Sequence, residues 1–394
     1  MKLTEEQRTW QIKARQFARE VLYPRSLERD RISDPRKTFD WDIIRKGSER
    51  GFRTAVVPKA WGGHGIDTVT QALVMAELAR GDSAMGKTFS QCWKWSHQMA
   101  EFCTEDQKRR FLKPFLADDC FLLGNARTEP NVGSDHRFPS DHAGARFGVK
   151  AVREGDEWVL NGSKIFMANG SVAKLFAVSA CTDSSASFRD GSTEFLVPIE
   201  TPGFSIGKVF NKSGWRFYQN AELVFENARI PYGNLVGEVN GCYKLRAGAS
   251  TGFGDLELAA NALGVCETAI ELATENFRGR LPGGHYFTDN QAMQLKFSEM
   301  RMLTEALRSF VFRIAAETDD PDVEHDPANH ILMHNFSTDV IQRVTELNVD
   351  IHAGGGSMEM NERADKLARD AIIWTHLAGD SVQRMKAVRR LMLN

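Results

Sequence analysis

The hydrophobic pattern of this chain changes its period twice, and that change restricts the fold more than any other feature. In the first third, apolar residues recur at helical spacing after Thr4 and Gln7, a pair typical of a capping box at a helix start. From about 121 to 230 the pattern becomes short β-type runs separated by Gly, Asn, Ser and Asp, and helical spacing returns after Gly241. The sequence therefore predicts an α+β protein with an N-terminal helical domain, a middle β-barrel-like domain and a C-terminal helical domain.

Local signals place several elements within this outline. A second capping signal is formed by Thr104 and Gln107. The clearest strands are expected at 158–160, 195–197 and 223–225, and the clearest C-terminal helices at 291–316, 328–352 and 381–391. The Asp- and Pro-rich stretch at 319–327 should be an exposed link between two helices. We expect three domains, at 1–120, 121–235 and 236–394.

Size and composition exclude several classes of function. The 394 residues can form two or three domains with a large core, and the formal net charge of −2 gives no basic field for nucleic acid or an anionic membrane. The six cysteines show no CxxC pair and no histidine clustering, which predicts buried thiols in a reducing compartment and no metal site. The N-terminus lacks an apolar signal core, and no stretch reaches the roughly 18 to 20 apolar residues that span a bilayer. We therefore expect a cytoplasmic protein without nucleic-acid, membrane or metal partners.

The most informative local segment is a polar loop at 126–135, directly after the apolar residues 121–123. It contains Thr128, Glu129 and Pro130, followed by Gly133, Ser134 and Asp135. A strand that runs into a tight polar turn fits this composition. By composition alone, an ordinary surface turn is at least as good an interpretation as a ligand-binding loop.

Further blocks accompany this loop in a fixed order. They lie at 51–52, 57–58, 61–65, 77–82, 104–108, 160–164, 227–231, 354–356 and 369–370. In content and order these blocks resemble the acyl-CoA dehydrogenase family over nearly the whole chain. The resemblance implies a C-terminal four-helix bundle, FAD as cofactor and an acyl thioester or a related small acid as substrate. It also implies a homotetramer and an electron-transfer flavoprotein as partner.

The resemblance also assigns cofactor contacts to individual positions. Phe166 stands where the family usually has a Trp near the flavin ring, and Ala168 stands in place of a hydroxyl residue. The full set of implied cofactor residues is Arg127, Thr128, Gly133, Ser134, Phe166, Ala168, Arg280, Gln291, Gly354 and Gly355. Each has a plainer interpretation: Ser134 as a turn cap, Arg280 as a solvated helix residue and the glycines as a loop linker.

The catalytic carboxylate of the family is missing from its two usual places. Most members carry a Glu eight residues after the Asp of Arg-Asp, where this chain has Ala378, and others carry it on the first bundle helix, where this chain has Gly254. Three nearby carboxylates are therefore candidates for the base: Asp255, Glu257 and Asp380. Asp380 could equally cap the last helix, and Glu257 is most simply a solvated residue near a helix start.

The segment 86–98, which corresponds to the helix lining the family's acyl pocket, carries a polar stripe. Its members at helical spacing are Lys87, Ser90, Gln91, Lys94 and His97. Two lysines in a pocket would call for an anionic group on the substrate, because a buried charge is costly unless it is matched. Lys87 and Lys94, together with Ser134, are thus candidate substrate-binding residues, although a solvated helix face explains the stripe at least as well.

Three functions remain open from the sequence. The first is an FAD-dependent oxidoreductase that forms an α,β double bond in an acyl thioester, with a polar or anionic acyl group and a displaced base. The second keeps the fold and FAD but acts as a flavin monooxygenase or a desulfinase, since relatives of those kinds lack the Glu. The third is a catalytically silent subunit of a hetero-oligomer.

Overall fold

The N-terminal domain is built from helices that bury long apolar faces. The computed structural model describes residues 2–133, 136, 142, 144–248, 253–279, 285–324, 326, 328–358, 362–377 and 380–392. Its first helices are α1 (Glu5–Phe17), α2 (Tyr23–Asp30), α3 (Trp41–Glu49), α4 (Thr68–Gly81), α5 (Ser83–Phe102), α6 (Glu105–Gln107) and α7 (Lys113–Ala117). Both predicted capping boxes are present, at Thr4 with Gln7 and at Thr104 with Gln107. α4 is buried along almost its whole length, which fits its Ala-, Leu- and Val-rich sequence.

The middle domain is a β structure, as predicted, and its described residues form eight strands. They are β1 (Leu122–Ala126), β2 (Lys150–Glu154), β3 (Glu157–Ala168), β4 (Ala173–Cys181), β5 (Ser192–Pro198), β6 (Phe204–Val209), β7 (Asn220–Pro231) and β8 (Leu235–Val236). The sheet runs in the order β6-β7-β3-β1-β4-β5-β8, and β2 pairs with both β3 and β4. Because β1 also pairs with both of those strands, β1, β3, β2 and β4 close a small ring.

The C-terminal domain returns to helices. They are α8 (Cys242–Gly248), α9 (Phe253–Gly279), α10 (Gln291–Asp319), α11 (Ala328–His352), α12 (Arg363–Ile372) and α13 (Asp380–Met392). The predicted helices at 291–316, 328–352 and 381–391 are confirmed within a few residues. α9 packs against α10 and α11 of its own domain and against α4 and α5 of the N-terminal domain. In the described ranges, no helix combines the length and apolar character required to cross a bilayer.

Polar contacts fasten the three domains to one another beside the predicted site. Asp370 on α12 accepts from the backbone N of Trp215 (2.6 Å) and from Lys366 Nζ (2.6 Å), and Lys366 also lies 3.0 Å from Asp82 before α5. At the other side of α5, Asn169 Nδ2 donates to the backbone oxygens of Leu123 (3.1 Å) and Thr88 (3.4 Å). The result is one junction at which α5, β1, β3 and α9 meet.

Candidate active site

The polar loop after β1 is held by a fully satisfied buried carboxylate. Glu129 accepts from the backbone N of Gly148 and of Val149 (3.0 Å) and from Lys164 Nζ (2.7 Å). Lys164 has no exposed side-chain surface, and its Nζ also donates to the backbone oxygen of Arg127 (3.0 Å). Burial lowers the pKa of Lys164 to about 8, an effect that the neighbouring Glu129 opposes. The pair therefore fixes the loop conformation on either side of Thr128.

The loop lies beside the end of β3, so that three predicted cofactor residues come together. Ile165 N donates to the backbone oxygen of Thr128 (2.9 Å), and Ala168 pairs with Asn125 of β1. Phe166 between them is 55% exposed and has a φ of 61°, a left-handed conformation that is costly for an aromatic residue. Strained backbone of this kind concentrates at ligand sites. An exposed aromatic face thus stands next to Thr128 and Ala168.

The predicted cofactor residues of the C-terminal domain lie on its surface. Gly354 and Gly355 are exposed, and a Cβ added to either would meet no atom within 4 Å. Gln291 is exposed at the first turn of α10, where Asn290 caps the helix. No hydrogen bond or ion pair of the described residues joins these positions to the Thr128 loop. Ser134 and Arg280 lie outside the described residues.

Of the three candidate bases, Glu257 is buried in the junction between α5 and α9. Its Oε1 accepts from Lys87 Nζ (2.5 Å) and from Ser90 Oγ (2.7 Å), both on α5. Its Oε2 has no hydrogen-bond partner among the described residues. Interpreting Glu257 as a solvated residue is therefore wrong: α9 begins at Phe253, and one turn later its side chain faces α5 and is only 5% exposed.

The other two candidates are placed differently. Asp255 is half-buried, and its Oδ1 accepts from Gln383 Nε2 of α13 (2.9 Å). Asp380 is the first residue of α13, but its side chain and residue Ala378 are outside the described part of the chain. No described contact joins Asp255 to Lys87 or Ser90 of α5.

The polar stripe on α5 is a buried feature over its first half. Lys87, Ser90 and Gln91 are buried, so the interpretation as a solvated face is wrong there. Tyr218, from the connection between β6 and β7, donates from its hydroxyl to Gln91 Oε1 (2.9 Å). Lys94 is only half-buried beside the ring of Trp95, and His97 is exposed. We call Lys87, Ser90, Gln91, Tyr218 and Glu257 the junction cluster.

An apolar cavity continues along the second half of α5. Trp95, Met99 and Phe102 line it from the helix, and Leu123, Leu175, Leu196 and Val236 line it from the sheet. Glu194 forms part of its wall and accepts hydrogen bonds from Ser179 Oγ (2.7 Å) and Cys242 Sγ (3.3 Å). The face of α5 thus changes from charged and polar beside Glu257 to apolar about two to three turns later.

Comparisons with known proteins agree with this architecture. Three family models match: acyl-CoA dehydrogenase N-terminal domain at 4–119, middle domain at 124–228 and C-terminal domain at 249–392. An acyl-CoA dehydrogenase of Bacillus subtilis is 30% identical over 391 residues, which is 98% of this chain and 97% of that protein. The chain belongs to the acyl-CoA dehydrogenase family.

Further relatives of this acyl-CoA dehydrogenase family member include enzymes named for different directions of the reaction. An acryloyl-CoA reductase (NADH) of Anaerotignum propionicum is 31% identical over 395 residues, covering 99% of this chain and 95% of that one. The structure of butyryl-CoA dehydrogenase from Megasphaera elsdenii has 30% identity and a TM-score of 0.89, with 100% of this chain and 99% of that chain covered. The protein is accordingly an FAD-dependent oxidoreductase of the acyl-CoA dehydrogenase type.

The residues that the structure describes fit the FAD of an acyl-CoA dehydrogenase. Arg127 Nε and Asn125 Oδ1 are buried beside the loop without a hydrogen-bond partner in the described ranges, so a polar ligand group there would satisfy them. The bare backbone at Gly354 and Gly355 allows close approach of a pyrophosphate. Thr128, Phe166 and Ala168 would then hold the ring region. The loss of a hydroxyl at Ala168 removes one donor that the resemblance would supply.

Two parts of this site were missed by sequence reasoning. Tyr218 lies in an irregular connection with no periodic pattern, so no sequence signal pointed to it. The pairing of Lys87 with Glu257 joins residues 170 positions apart. The polar stripe on α5 was the available signal, but only the fold shows that α9 covers it.

Proposed function

We propose that this protein removes two hydrogens from an acyl thioester, with Glu257 accepting the Cα proton. FAD, when bound, supplies the acceptor for the hydride that leaves Cβ, and the carbon atoms keep the electron pair of the Cα–H bond as a double bond. The observation that carries the proposal is the asymmetry of Glu257: one oxygen is held by Lys87 and Ser90, and the other has no partner among the residues that the structure describes. Such a carboxylate is oriented by the protein and still has free lone pairs.

The contacts of the three candidates support Glu257 over Asp255 and Asp380. A general base must reach the proton it removes inside a site from which water is excluded. Glu257 lies in the buried junction, where its carboxylate is paired with Lys87 Nζ at 2.5 Å. Asp255 is half-buried and directed to Gln383 on α13. Asp380 begins α13 and remains a candidate through its position in the sequence alone.

The proposal includes the surroundings of the reaction. The names of the relatives support a CoA thioester with a short acyl chain, since they include short-chain specific acyl-CoA dehydrogenases of Megasphaera elsdenii and Homo sapiens. We propose a homotetramer, because Gly354 and Gln291 are exposed and resemble family residues that complete the dinucleotide site of a neighbouring subunit. A structure titled for an electron-transferring flavoprotein of Acidaminococcus fermentans, with a TM-score of 0.90, supports such a flavoprotein as electron acceptor. A cytoplasmic location is supported by the six free cysteines.

The second candidate is a member of this fold that uses FAD without a base. Its support is Ala378, which stands where most members have Glu. A flavin monooxygenase or a desulfinase would fall in this group, and so would a silent subunit of a hetero-oligomer.

Four measurements on the purified holoprotein separate these functions. A dehydrogenase oxidises a short-chain acyl-CoA under anaerobic conditions with ferrocenium as acceptor, and it exchanges the Cα proton in deuterated buffer. A monooxygenase consumes oxygen only with pre-reduced flavin, and a desulfinase releases sulfite without a net change in flavin oxidation state. The proposal fails if no acyl-CoA is oxidised and no Cα proton exchanges. Absence of all four activities assigns the chain to the silent-subunit alternative.

A further inference from the structure

The hydrogen bond between Tyr218 and Gln91 fixes which way the Gln91 amide points. Burial raises the pKa of Tyr218 well above its usual 10, and the charge of Glu257 raises it further. The phenol therefore stays protonated and is a donor, which requires the carbonyl oxygen of Gln91 on its side at 2.9 Å. Trp215 packs edge-on against the Tyr218 ring at 5.6 Å and holds it in place. The amide nitrogen of Gln91 must then face away from Tyr218.

The Gln91 amide nitrogen, Nε2, has no acceptor in the part of the chain that the structure describes, although Gln91 is only 9% exposed. Natural proteins rarely leave a donor of a nearly buried side chain without an acceptor. A bound molecule that presents an oxygen to Nε2 would complete the cluster.

The charges in the junction cluster determine what kind of oxygen fits. Lys87 is compensated by Glu257 at 2.5 Å, and the remaining members, Ser90, Gln91 and Tyr218, are neutral. The cluster therefore has no surplus positive charge for a carboxylate, and Glu257 repels one. A hydroxyl, keto or ether oxygen can accept from Gln91 without that repulsion. This argues against the anionic acyl group that two pocket lysines suggested.

We infer that Gln91 is a specificity-determining residue whose amide donates to an uncharged oxygen on the acyl group. The preferred substrates are then hydroxy- or oxo-acyl thioesters, and the unsubstituted chain is bound more weakly. Tyr218 is a positioning residue that keeps the donor turned toward the substrate. The inference rests on the proposed function, because it places the acyl group beside Glu257.

The test compares substrates that differ by one oxygen. The flavin of the holoprotein is first reduced with dithionite so that it cannot accept hydride. This protein is titrated anaerobically with butyryl-CoA and 4-hydroxybutyryl-CoA, and with pentanoyl-CoA and 5-hydroxypentanoyl-CoA, and dissociation constants are measured by calorimetry. In at least one pair, the hydroxylated thioester should bind about tenfold more tightly, as one well-formed hydrogen bond allows. Glutaryl-CoA, which carries a carboxylate at the same distance as the second pair, should show no such gain. Equal binding within both pairs, or a preference for glutaryl-CoA, would overturn the inference.

Three variants assign the preference to a residue. Gln91→Met keeps length and lacks the donor, so it should bring the affinity ratio close to one. Tyr218→Phe removes the hydrogen bond that orients the Gln91 amide. It should lower the affinity ratio, but less than Gln91→Met does. Gln98→Met alters another glutamine of the same helix, one that lines the apolar cavity, and should keep the wild-type ratio. Loss of the ratio in Gln98→Met but not in Gln91→Met would overturn the assignment.

Two features keep these results interpretable. FAD content and the thermal midpoint confirm that each variant is folded. Binding is measured without turnover, so a preference that persists in a protein unable to desaturate either thioester would separate failure of the proposed function from failure of this inference.

Discussion

Two buried Lys–Glu pairs in this molecule differ in how many of their carboxylate oxygens accept hydrogen bonds. In the middle domain, Lys164 and Glu129 are surrounded by backbone partners, and both Glu129 oxygens accept hydrogen bonds. At the junction of α5 and α9, Lys87 and Ser90 share one oxygen of Glu257, and the other oxygen has no partner in the described structure. Lys164 also packs on the ring of Phe147 at 4.0 Å.

The difference shows how the same residue pair can serve structure or chemistry. A carboxylate whose lone pairs are all used can anchor a loop, but it has no position left for a proton from a substrate. A carboxylate held through one oxygen keeps its orientation and can still react. We therefore propose that Lys164–Glu129 positions the Thr128 loop and that Lys87–Glu257 takes part in the reaction.

The largest effect is expected for Lys87–Glu257, which we call the open pair because one Glu257 oxygen has no partner in the described structure. Glu257→Gln keeps size and hydrogen bonding but cannot accept a proton, so ferrocenium-coupled oxidation should fall by about 10²- to 10⁴-fold, the usual range for a lost general base. Flavin content and substrate dissociation constant should stay near wild type. Wild-type turnover in Glu257→Gln would show that Lys87–Glu257 does not take part in the reaction.

Lys164–Glu129 is the closed pair, because both Glu129 oxygens accept hydrogen bonds. Breaking it should lower the free energy of unfolding and weaken FAD retention. Lys164→Met leaves Glu129 buried without its cation, and breaking a buried pair in this way costs about 3 to 5 kcal/mol of unfolding free energy. Because the pair supports the backbone at Arg127 and Thr128, FAD should also be lost more readily. Urea unfolding and flavin release on dilution measure the two effects.

An exposed lysine of the same sheet provides the matched control for Lys164→Met. Lys150→Met on β2 removes a charge from a solvated position and should change the unfolding free energy by no more than about 0.5 kcal/mol. Unchanged stability and FAD content in Lys164→Met would show that the closed pair does not anchor the loop.

Much of the fold, and less of the site, could be predicted from the sequence. Periodicity and capping are local, which is why the helix at 328–352 and the capping box at Thr4 were predicted correctly. The junction cluster depends on contacts between residues far apart in the chain, such as Ser90 with Glu257. A polar stripe facing another helix has the same spacing as one facing water, so its burial could not be derived from the pattern.

A smaller effect is expected when the cation of the open pair is removed. In Lys87→Met, Glu257 Oε1 keeps only the hydrogen bond from Ser90 Oγ, so the carboxylate is held less firmly. Ferrocenium-coupled oxidation should fall by about 10- to 100-fold, because a hydrogen bond to a charged group contributes about 1.5 to 3 kcal/mol. The substrate dissociation constant should stay near wild type.

Lys87→Arg is the matched variant, because it keeps a charged hydrogen-bond donor at this position. It should recover part of the turnover that Lys87→Met loses, which separates the contact with Glu257 from a purely structural role. Wild-type turnover in Lys87→Met would show that Lys87 does not position Glu257.

The smallest effect is expected at Asp255, the carboxylate two residues away from Glu257. Asp255→Asn keeps the oxygen that accepts from Gln383 Nε2, and one partly exposed hydrogen bond contributes about 0.5 to 1.5 kcal/mol. Oxidation of acyl-CoA should therefore change by less than about tenfold, and the pH profile should keep its shape. If oxidation by Asp255→Asn falls by 10²-fold or more while Glu257→Gln stays active, Asp255 is the general base. Both Lys–Glu pairs would then be structural, and the different number of bonded carboxylate oxygens would reflect packing at the junction of α5 and α9.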